Sequence, residues 1–199
     1  MQQHQLRVAA VAELICDALE FPIDATTVIQ ACLVHDMGNI IKAKFSHFPR
    51  FLEPEGEVYW QKVKDDFIKK YGDDHSEASV KIASDLGLNN NVIDLLSSFG
   101  YLRVKEIAED AILERKICCY SDIRVGPKGV ISVDERVADS AKRYSDKRDK
   151  VHTGEFFEEI SDKLHFIENG LMSLSNHRPN QINDQSIEPL ILKLKKFSL

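Results

Sequence analysis

The segment QACLVHDMGNII, from Gln30 to Ile41, places a histidine and an aspartate side by side in a largely apolar run. Apolar residues precede His35 and resume at Ile40, which predicts that both polar side chains face the interior of the protein. An imidazole beside a carboxylate is costly to bury unless each group finds a partner. On a helix the two side chains would lie about 100° apart and could lean toward one point. The segment therefore raises the question of what partner they share.

Helical periodicity continues on both sides of this segment. The apolar stripe of the first predicted helix consists of Val8, Val11, Ile15 and Leu19. The same spacing predicts a helix from about Glu57 to Tyr71 and a long helix whose stripe runs from Phe157 to Leu171. No segment alternates between apolar and polar residues for more than a few positions. The pattern predicts an all-α fold.

Side chains that commonly cap helices mark where several of these helices begin. The candidate N-caps are Asp24 or Thr26, Asp74 or Ser76, Ser132, and Thr153. Ser132 and Glu135 have the spacing of a capping box, and Gly38 is expected to end the helix that carries His35.

The domain organisation follows from where the apolar stripes stop. Residues 1–172 are predicted to form one helical domain, and residues 173–199 a C-terminal appendage. The appendage begins with the polar run SLSNHRPNQINDQS, predicted to be an extended linker. It ends with the apolar run IEPLILKLKKF, in which Pro189 suits the first turn of a short helix. This run can pack on its own bundle, which we favour, or on a second chain, where it would support an oligomer.

Composition restricts the classes of partner. The chain has 199 residues and a formal net charge of −6, which argues against binding to long nucleic acids or anionic membranes. A nucleotide in a local basic pocket is compatible with this charge. No run is long and apolar enough to span a bilayer, and the N-terminal residues lack the pattern of a signal peptide. Its four cysteines form no C-x-x-C pair, so we expect buried thiols in a cytoplasmic protein.

Polar residues also fall on the inward faces of other predicted helices. His4 lies one turn before Val8, His75 begins another apolar stripe, and Asp122 lies one turn after Cys118. Each of these residues alone has a simpler explanation, such as a core hydrogen bond or a surface ion pair. Together with His35 and Asp36 they favour a divalent cation as the shared partner.

The ordered set of these residues resembles the H…HD…D signature of the HD-domain superfamily of metal-dependent phosphohydrolases. The segment HQLRVAAVAELI is similar to the family's first helix, and CLVHDMGN to the segment that carries its HD pair. HSEASVKIASDLGL resembles the helix with an auxiliary histidine, and YSDIRVGPKGVISVDERVADSAKRY the segment with the distal aspartate. The resemblance extends from about Gln2 to Tyr144 and implies a helical bundle around a metal centre.

The resemblance also implies roles for individual residues. His4, His35, Asp36 and Asp122 would bind a divalent ion, whether Mg, Mn, Fe, Co, Ni or Zn. The implied reaction is hydrolysis of a phosphomonoester or phosphodiester in a nucleotide or another small molecule, with the ion activating water. Asp36 would help to orient that water. His75 would contact the phosphate, act as a general acid or bind a second ion, and its place at a helix start favours a nearby anion.

Two departures from the family pattern bear on the substrate and on the number of ions. Many relatives have a lysine where this chain has Asn39, so Lys42 and Lys44 in the next turn are the candidates to replace that cation. Arg124 and Lys128 are further candidates for binding the substrate phosphate. Dinuclear relatives use more histidines between the HD pair and the distal aspartate, and this chain offers only His47 and His75 there.

Two other functions are compatible with the sequence. The first is a regulatory module that binds a metal or nucleotide without catalysis. The second is a di-iron oxygenase, which would need a fuller set of histidines than the sequence contains.

Overall fold

The computed structural model describes residues 2–45, 52–145 and 153–197, and these ranges form ten α-helices and no β-sheet. The helices are α1 (Gln2–Ala18), α2 (Ala25–Val34), α3 (Glu57–Tyr71), α4 (His75–Asp85), α5 (Asn90–Leu95), α6 (Val104–Glu109), α7 (Leu113–Ile123), α8 (Val133–Ser145), α9 (Gly154–Ser173) and α10 (Asp184–Leu194). The prediction of an all-α bundle is confirmed. None of the described helices is long and apolar enough to cross a membrane.

Several helices begin at the predicted residues because a side chain accepts from the first free backbone amides. Asp24 accepts from the amide of Thr27 at 3.1 Å. Ser132 and Glu135 form the expected reciprocal pair, with the Ser132 amide donating to Glu135 at 2.8 Å and the Glu135 amide donating to the Ser132 hydroxyl at 3.2 Å. Thr153 caps α9 in the same way. These starts were predictable because each depends on residues close together in sequence.

Helix α1 lies at the centre of the bundle and packs most extensively on α2 and α10. Its buried face is rich in small residues, including Ala9, Ala10 and Ala12, none of which is exposed to solvent. Small side chains allow neighbouring helices to approach closely. The four cysteines are free and buried in the same core, and burial raises the pKa of the Cys16 thiol to about 12. They act as small apolar residues, as the sequence indicated.

The end of α2 differs from the sequence prediction. The α-helix stops at Val34, and a 3-10 turn follows over Met37–Ile40. Gly38 does not end the helix as predicted, but this position still requires glycine. A Cβ atom on Gly38 would lie 2.0 Å from the carbonyl oxygen of His75, so only glycine lets this turn pack against the start of α4. His35 and Asp36 therefore lie at the junction after α2 and not within a helix.

The C-terminal segment packs on the bundle through α10. Ile182, Ile187 and Leu194 are buried in the main core, and Lys193 forms an ion pair with Glu13 of α1. The prediction of an extended linker is wrong for the last residues of the polar run, because α10 already begins at Asp184. Pro189 consequently lies inside α10 and not in its first turn. The boundary between residues 172 and 173 stays a prediction.

Candidate metal centre

Three separate parts of the fold bring His4, His35, Asp36 and Asp122 together, and we call these four residues the His/Asp cluster. His4 lies in the first turn of α1, and Asp122 lies in the last turn of α7. His35 and Asp36 lie at the junction after α2. Because α1 packs against both α2 and α7, the ends of these elements meet at one place on the bundle.

Each imidazole of the cluster lies between the two carboxylates. Nε2 of His4 is 3.1 Å from Oδ1 of Asp122 and 3.8 Å from Oδ2 of Asp36. Nε2 of His35 is 3.6 Å from Oδ1 of Asp36 and 3.6 Å from Oδ1 of Asp122. Two ligand atoms that each lie about 2.1 Å from an ion are about 3.0–3.4 Å apart at tetrahedral or octahedral angles. These four separations are in this range or slightly above it, so small movements would bring His4, His35 and Asp122 onto one ion with Asp36 beside it.

His4, His35 and Asp122 form the tightest part of the cluster. Each offers one ligand atom, and these atoms all lie within 4.8 Å of one another. Asp36 presents a different oxygen to each histidine and completes the cluster from the side of the α2 junction. This is the type of donor set, imidazole nitrogen with carboxylate oxygen, that first-row divalent ions accept.

The orientation of His35 is fixed by its surroundings. Its Nδ1 donates a hydrogen bond to the carbonyl oxygen of Cys32 at 2.7 Å, and its ring stacks on Phe99 with centroids 4.4 Å apart. A histidine that donates from Nδ1 presents an unprotonated Nε2 when neutral. That Nε2 is buried and has no hydrogen-bond partner. A buried polar atom without a partner needs an explanation, and a bound cation at the cluster supplies one.

The charges of the cluster favour a cation at its centre. Burial alone would raise the pKa of Asp122, but the imidazoles of His35 and His4 beside it hold that pKa well below its usual range. Burial alone would lower the pKa of His35, but the carboxylates of Asp122 and Asp36 outweigh it and raise the pKa. The two carboxylates therefore stabilise positive charge beside them, which a divalent ion provides more fully than a proton.

His75 and Lys42 lie at the edge of the cluster. Burial and the charge of Lys42 lower the pKa of His75, while the charges of Asp74 and Asp36 oppose that change. Burial lowers the pKa of Lys42, and the carboxylates of Asp36, Asp122 and Asp74 partly restore it. The charge of Asp36 thus acts on both Lys42 and His75. The substrate contact of Lys42 stays a prediction.

The start of α4 offers less to an anion than its position suggested. Asp74 accepts from the amides of Ser76 and Glu77, each at 2.8 Å. These amides are therefore already used by the N-cap and are not available to a phosphate. Any role of His75 must come from its imidazole and not from the backbone beside it.

Arg124 does not join the cluster. Its residue exposure is only 3%, and its guanidinium donates to the carbonyl oxygens of Ile131, Pro179 and Ile182 at 2.5–3.0 Å. The same group donates to the hydroxyl of Tyr120 at 2.5 Å. This placement argues against the predicted substrate contact, and we assign Arg124 the structural role of joining α7 to the segment before α10.

Lys128 lies exposed in the turn between Val125 and Val130, and its substrate contact stays a prediction. His47, the other histidine considered for a second ion, lies outside the described residues.

The structure also shows a cleft that sequence reasoning missed. It has a volume of about 620 Å³ and is open to solvent beside His4. The lining residues are Gln2, Gln3, His4, Arg7, Val125, Gly126, Pro127, Arg136 and Arg143, and we call it the arginine cleft. One signal was available in the sequence, because Arg7 follows His4 by three residues and therefore lies on the same side of α1. The approach of α8, which carries the other two arginines, depends on the tertiary fold.

Comparison with known protein families gives one match. The model of the HD domain matches residues 1–124, which include all four residues of the His/Asp cluster. Neither a curated protein nor a solved structure matches the chain.

Proposed function

The chain belongs to the HD-domain family, and on that premise we propose that it is a metal-dependent phosphohydrolase that acts on a nucleotide or another small phosphoester. One observation carries the proposal. The buried Nε2 of His35 has no hydrogen-bond partner and faces two carboxylates, each 3.6 Å away. If these residues served only the stability of the fold, a buried polar atom would be left without a partner, and that costs free energy. A metal site uses that atom as a ligand.

The residues of the cluster fit a divalent ion in number, type and charge. His4 and His35 would each give Nε2, and Asp122 and Asp36 would give carboxylate oxygens. Two neutral imidazoles and two carboxylates carry a charge of −2, which a divalent ion neutralises. When bound, such an ion would lower the pKa of a water and polarise a phosphoryl oxygen. Among the described residues these side chains face one common point, which supports a site for a single ion.

Asp36 is the carboxylate of the cluster best placed to handle water. Its side chain is 27% exposed, whereas that of Asp122 is 14% exposed. A more exposed carboxylate beside the ligand atoms can accept a hydrogen bond from the attacking water and orient it. We therefore assign Asp36 a catalytic role in addition to ligation.

His75 and Lys42 would act on the substrate side of the cluster. The lowered pKa of His75 keeps its imidazole neutral near pH 7, so that it carries one N–H donor and one acceptor nitrogen. In that state it can donate a hydrogen bond to the leaving oxygen of a phosphoester. Lys42 would hold a phosphoryl oxygen by its charge.

The test is metal reconstitution followed by a broad activity screen. Chelator-treated full-length protein would be reloaded separately with Mg, Mn, Fe(II), Co, Ni or Zn. Each form would be assayed on p-nitrophenyl phosphate, bis-p-nitrophenyl phosphate and a panel of nucleoside phosphates, with His35→Gln as the control. We expect phosphate release with at least one ion and none from the control. Stoichiometric metal binding with no turnover by any form would contradict the proposal and favour the regulatory alternative.

A further inference from the structure

The arginine cleft adjoins the His/Asp cluster at His4, which belongs to both. One side of the His4 imidazole faces Asp122 and Asp36, and the residue also lines the cleft. A molecule with one phosphate at the cluster and a second group in the cleft would pass beside His4. Its volume of about 620 Å³ is within the range of sites that hold small-molecule ligands.

Arg136 is held in the cleft without an acidic partner among the described residues. Its guanidinium lies over the ring of Tyr101, 5.9 Å from the ring centroid. The Tyr101 hydroxyl donates to the carbonyl oxygen of Arg136 at 3.1 Å and accepts from Ser140 at 2.8 Å. The Nε atom of Arg136 is buried and has no hydrogen-bond partner. The guanidinium is thus positioned while one of its donors stays unused.

The other two arginines make only weak ion pairs. Arg7 is 3.9 Å from Oδ1 of Asp184, whose side chain is 58% exposed. Arg143 is 2.8 Å from Asp139, one turn earlier on α8, and both side chains are solvent-accessible. Exposed pairs of this kind contribute little free energy. A stronger anionic ligand could therefore displace these carboxylates at small cost.

The charge of the cleft contrasts with that of the chain. The formal net charge is −6, yet the cleft-lining residues include three arginines and no aspartate or glutamate among those described. Guanidinium groups bind phosphate through two parallel hydrogen bonds, which gives both strength and geometric selectivity. A cleft with three guanidinium groups suits a ligand that carries one or more phosphate groups.

We propose that the arginine cleft binds a second phosphate group of the substrate, separate from the phosphate hydrolysed at the His/Asp cluster. The preferred substrates are then small molecules with two or more phosphate groups, such as nucleoside diphosphates or triphosphates. This inference rests on the proposed function, because that function places the scissile phosphate beside His4. It adds Arg7, Arg136 and Arg143 as specificity-determining residues.

The first test compares substrates with one phosphate and with two. Arg136→Gln and Arg143→Gln are each expected to raise KM for a nucleoside diphosphate about tenfold while changing KM for p-nitrophenyl phosphate less than twofold. Arg103→Gln is the matched control, since Arg103 lies outside the cleft, is partly exposed and pairs with Glu106. Equal changes for both substrates, or no change for either, would overturn the inference. Arg143 is exposed, so its variant keeps the test informative if Arg136→Gln does not fold.

The second test needs no catalytic activity. Calorimetric titration of metal-free protein with methylenediphosphonate, which is not hydrolysed, measures binding to the cleft alone. We expect the Kd to rise about tenfold in Arg143→Gln and to stay unchanged in Arg103→Gln. One outcome separates the two proposals. If Arg143→Gln loses binding and the wild type shows no phosphohydrolase activity, the cleft is upheld and the proposed function is rejected. Identical binding by wild type and both cleft variants would reject the cleft, whatever the activity.

Discussion

His4 and Asp122 are separated by 118 residues in the sequence, yet Nε2 of His4 lies 3.1 Å from Oδ1 of Asp122. The first turn of α1 and the last turn of α7 meet because α1 packs against α7. Both helices also pack on α2, which brings these groups to His35 and Asp36. The geometry of the His/Asp cluster is thus a consequence of helix packing in the core.

Removal of a proposed ligand should abolish both metal binding and turnover. His35→Gln and Asp36→Asn are expected to lose stoichiometric metal and to fall to background phosphate release, because the ion provides the nucleophile. Elemental analysis and the activity assay measure the two effects. His165→Gln and Asp66→Asn, which alter the same residue types away from the cluster, should retain both. Full activity in folded Asp36→Asn would reject the metal mechanism.

His75 should affect turnover without affecting metal content. His75→Ala is expected to lower kcat about 10²–10⁴-fold, the range of a general acid or base, while metal content stays near that of the wild type. The reason is that His75 lies at the edge of the cluster and not among its closest ligand atoms. Elemental analysis of the purified variant decides the point. If the variant loses its metal, His75 is a ligand and the dinuclear alternatives return.

Gly38 should be intolerant of even one added carbon. A Cβ atom there would lie 2.0 Å from the carbonyl oxygen of His75 and 2.9 Å from the amide nitrogen of Ser79. Gly38→Ala is therefore expected to move α4 away from Asp36, to destabilise the protein by about 1–3 kcal/mol, and to lower activity. Denaturant unfolding measures the first effect.

Gly170 provides the control for that substitution. It lies inside α9, and a Cβ atom there would meet nothing within 4 Å. Gly170→Ala should leave activity unchanged and raise stability by about 0.5–1 kcal/mol, because alanine favours the helix. Gly38→Ala as stable and active as the wild type would show that the contact between the 3-10 turn and α4 is not needed.

His165 should make a pH-dependent contribution to stability. It lies 2.9 Å from Asp134 of α8 and 3.3 Å from Glu168. The hydrogen bond to Asp134 is the main cause of its raised pKa, with Glu168 adding to it and burial opposing it. A raised pKa in the folded state gives stability that is fully present below the unfolded pKa of about 6.5 and is lost as pH rises through the folded pKa.

The measurement is the difference in Tm between wild type and His165→Gln. Because His165 is partly exposed, the contribution is that of a screened surface pair, so we expect a difference of about 1–3 °C near pH 5.5 that disappears near pH 9. A difference that is constant over this range would mean that the charge of His165 does not stabilise the contact between α8 and α9.

The sequence predicted those features that depend on nearby residues or on residue type. The helix starts at Asp24, Ser132 and Thr153 follow from local capping. The family signature singled out the four residues that the fold brings together. The sequence could not predict where α2 ends, because that depends on how closely the turn at Gly38 packs against α4.

Arg124 shows why the sequence alone does not locate the substrate contacts. Its sequence neighbourhood is that of the distal aspartate, which suggested a place in the site. Its actual partners include the carbonyl oxygens of Pro179 and Ile182, more than fifty residues away. The arginine cleft was missed for the same reason, since it requires α8 to approach α1. Contacts between distant segments decide which cations face the substrate.

The most direct test of the account is the position of a bound metal ion. Crystals of the full chain grown with Mn²⁺ or Zn²⁺ would be measured at the absorption edge of the metal to locate it by anomalous scattering. We predict one strong peak about 2.0–2.3 Å from Nε2 of His4, Nε2 of His35 and carboxylate oxygens of Asp36 and Asp122. A peak elsewhere, or no peak at saturating metal, would contradict the claim that these four residues form a metal centre.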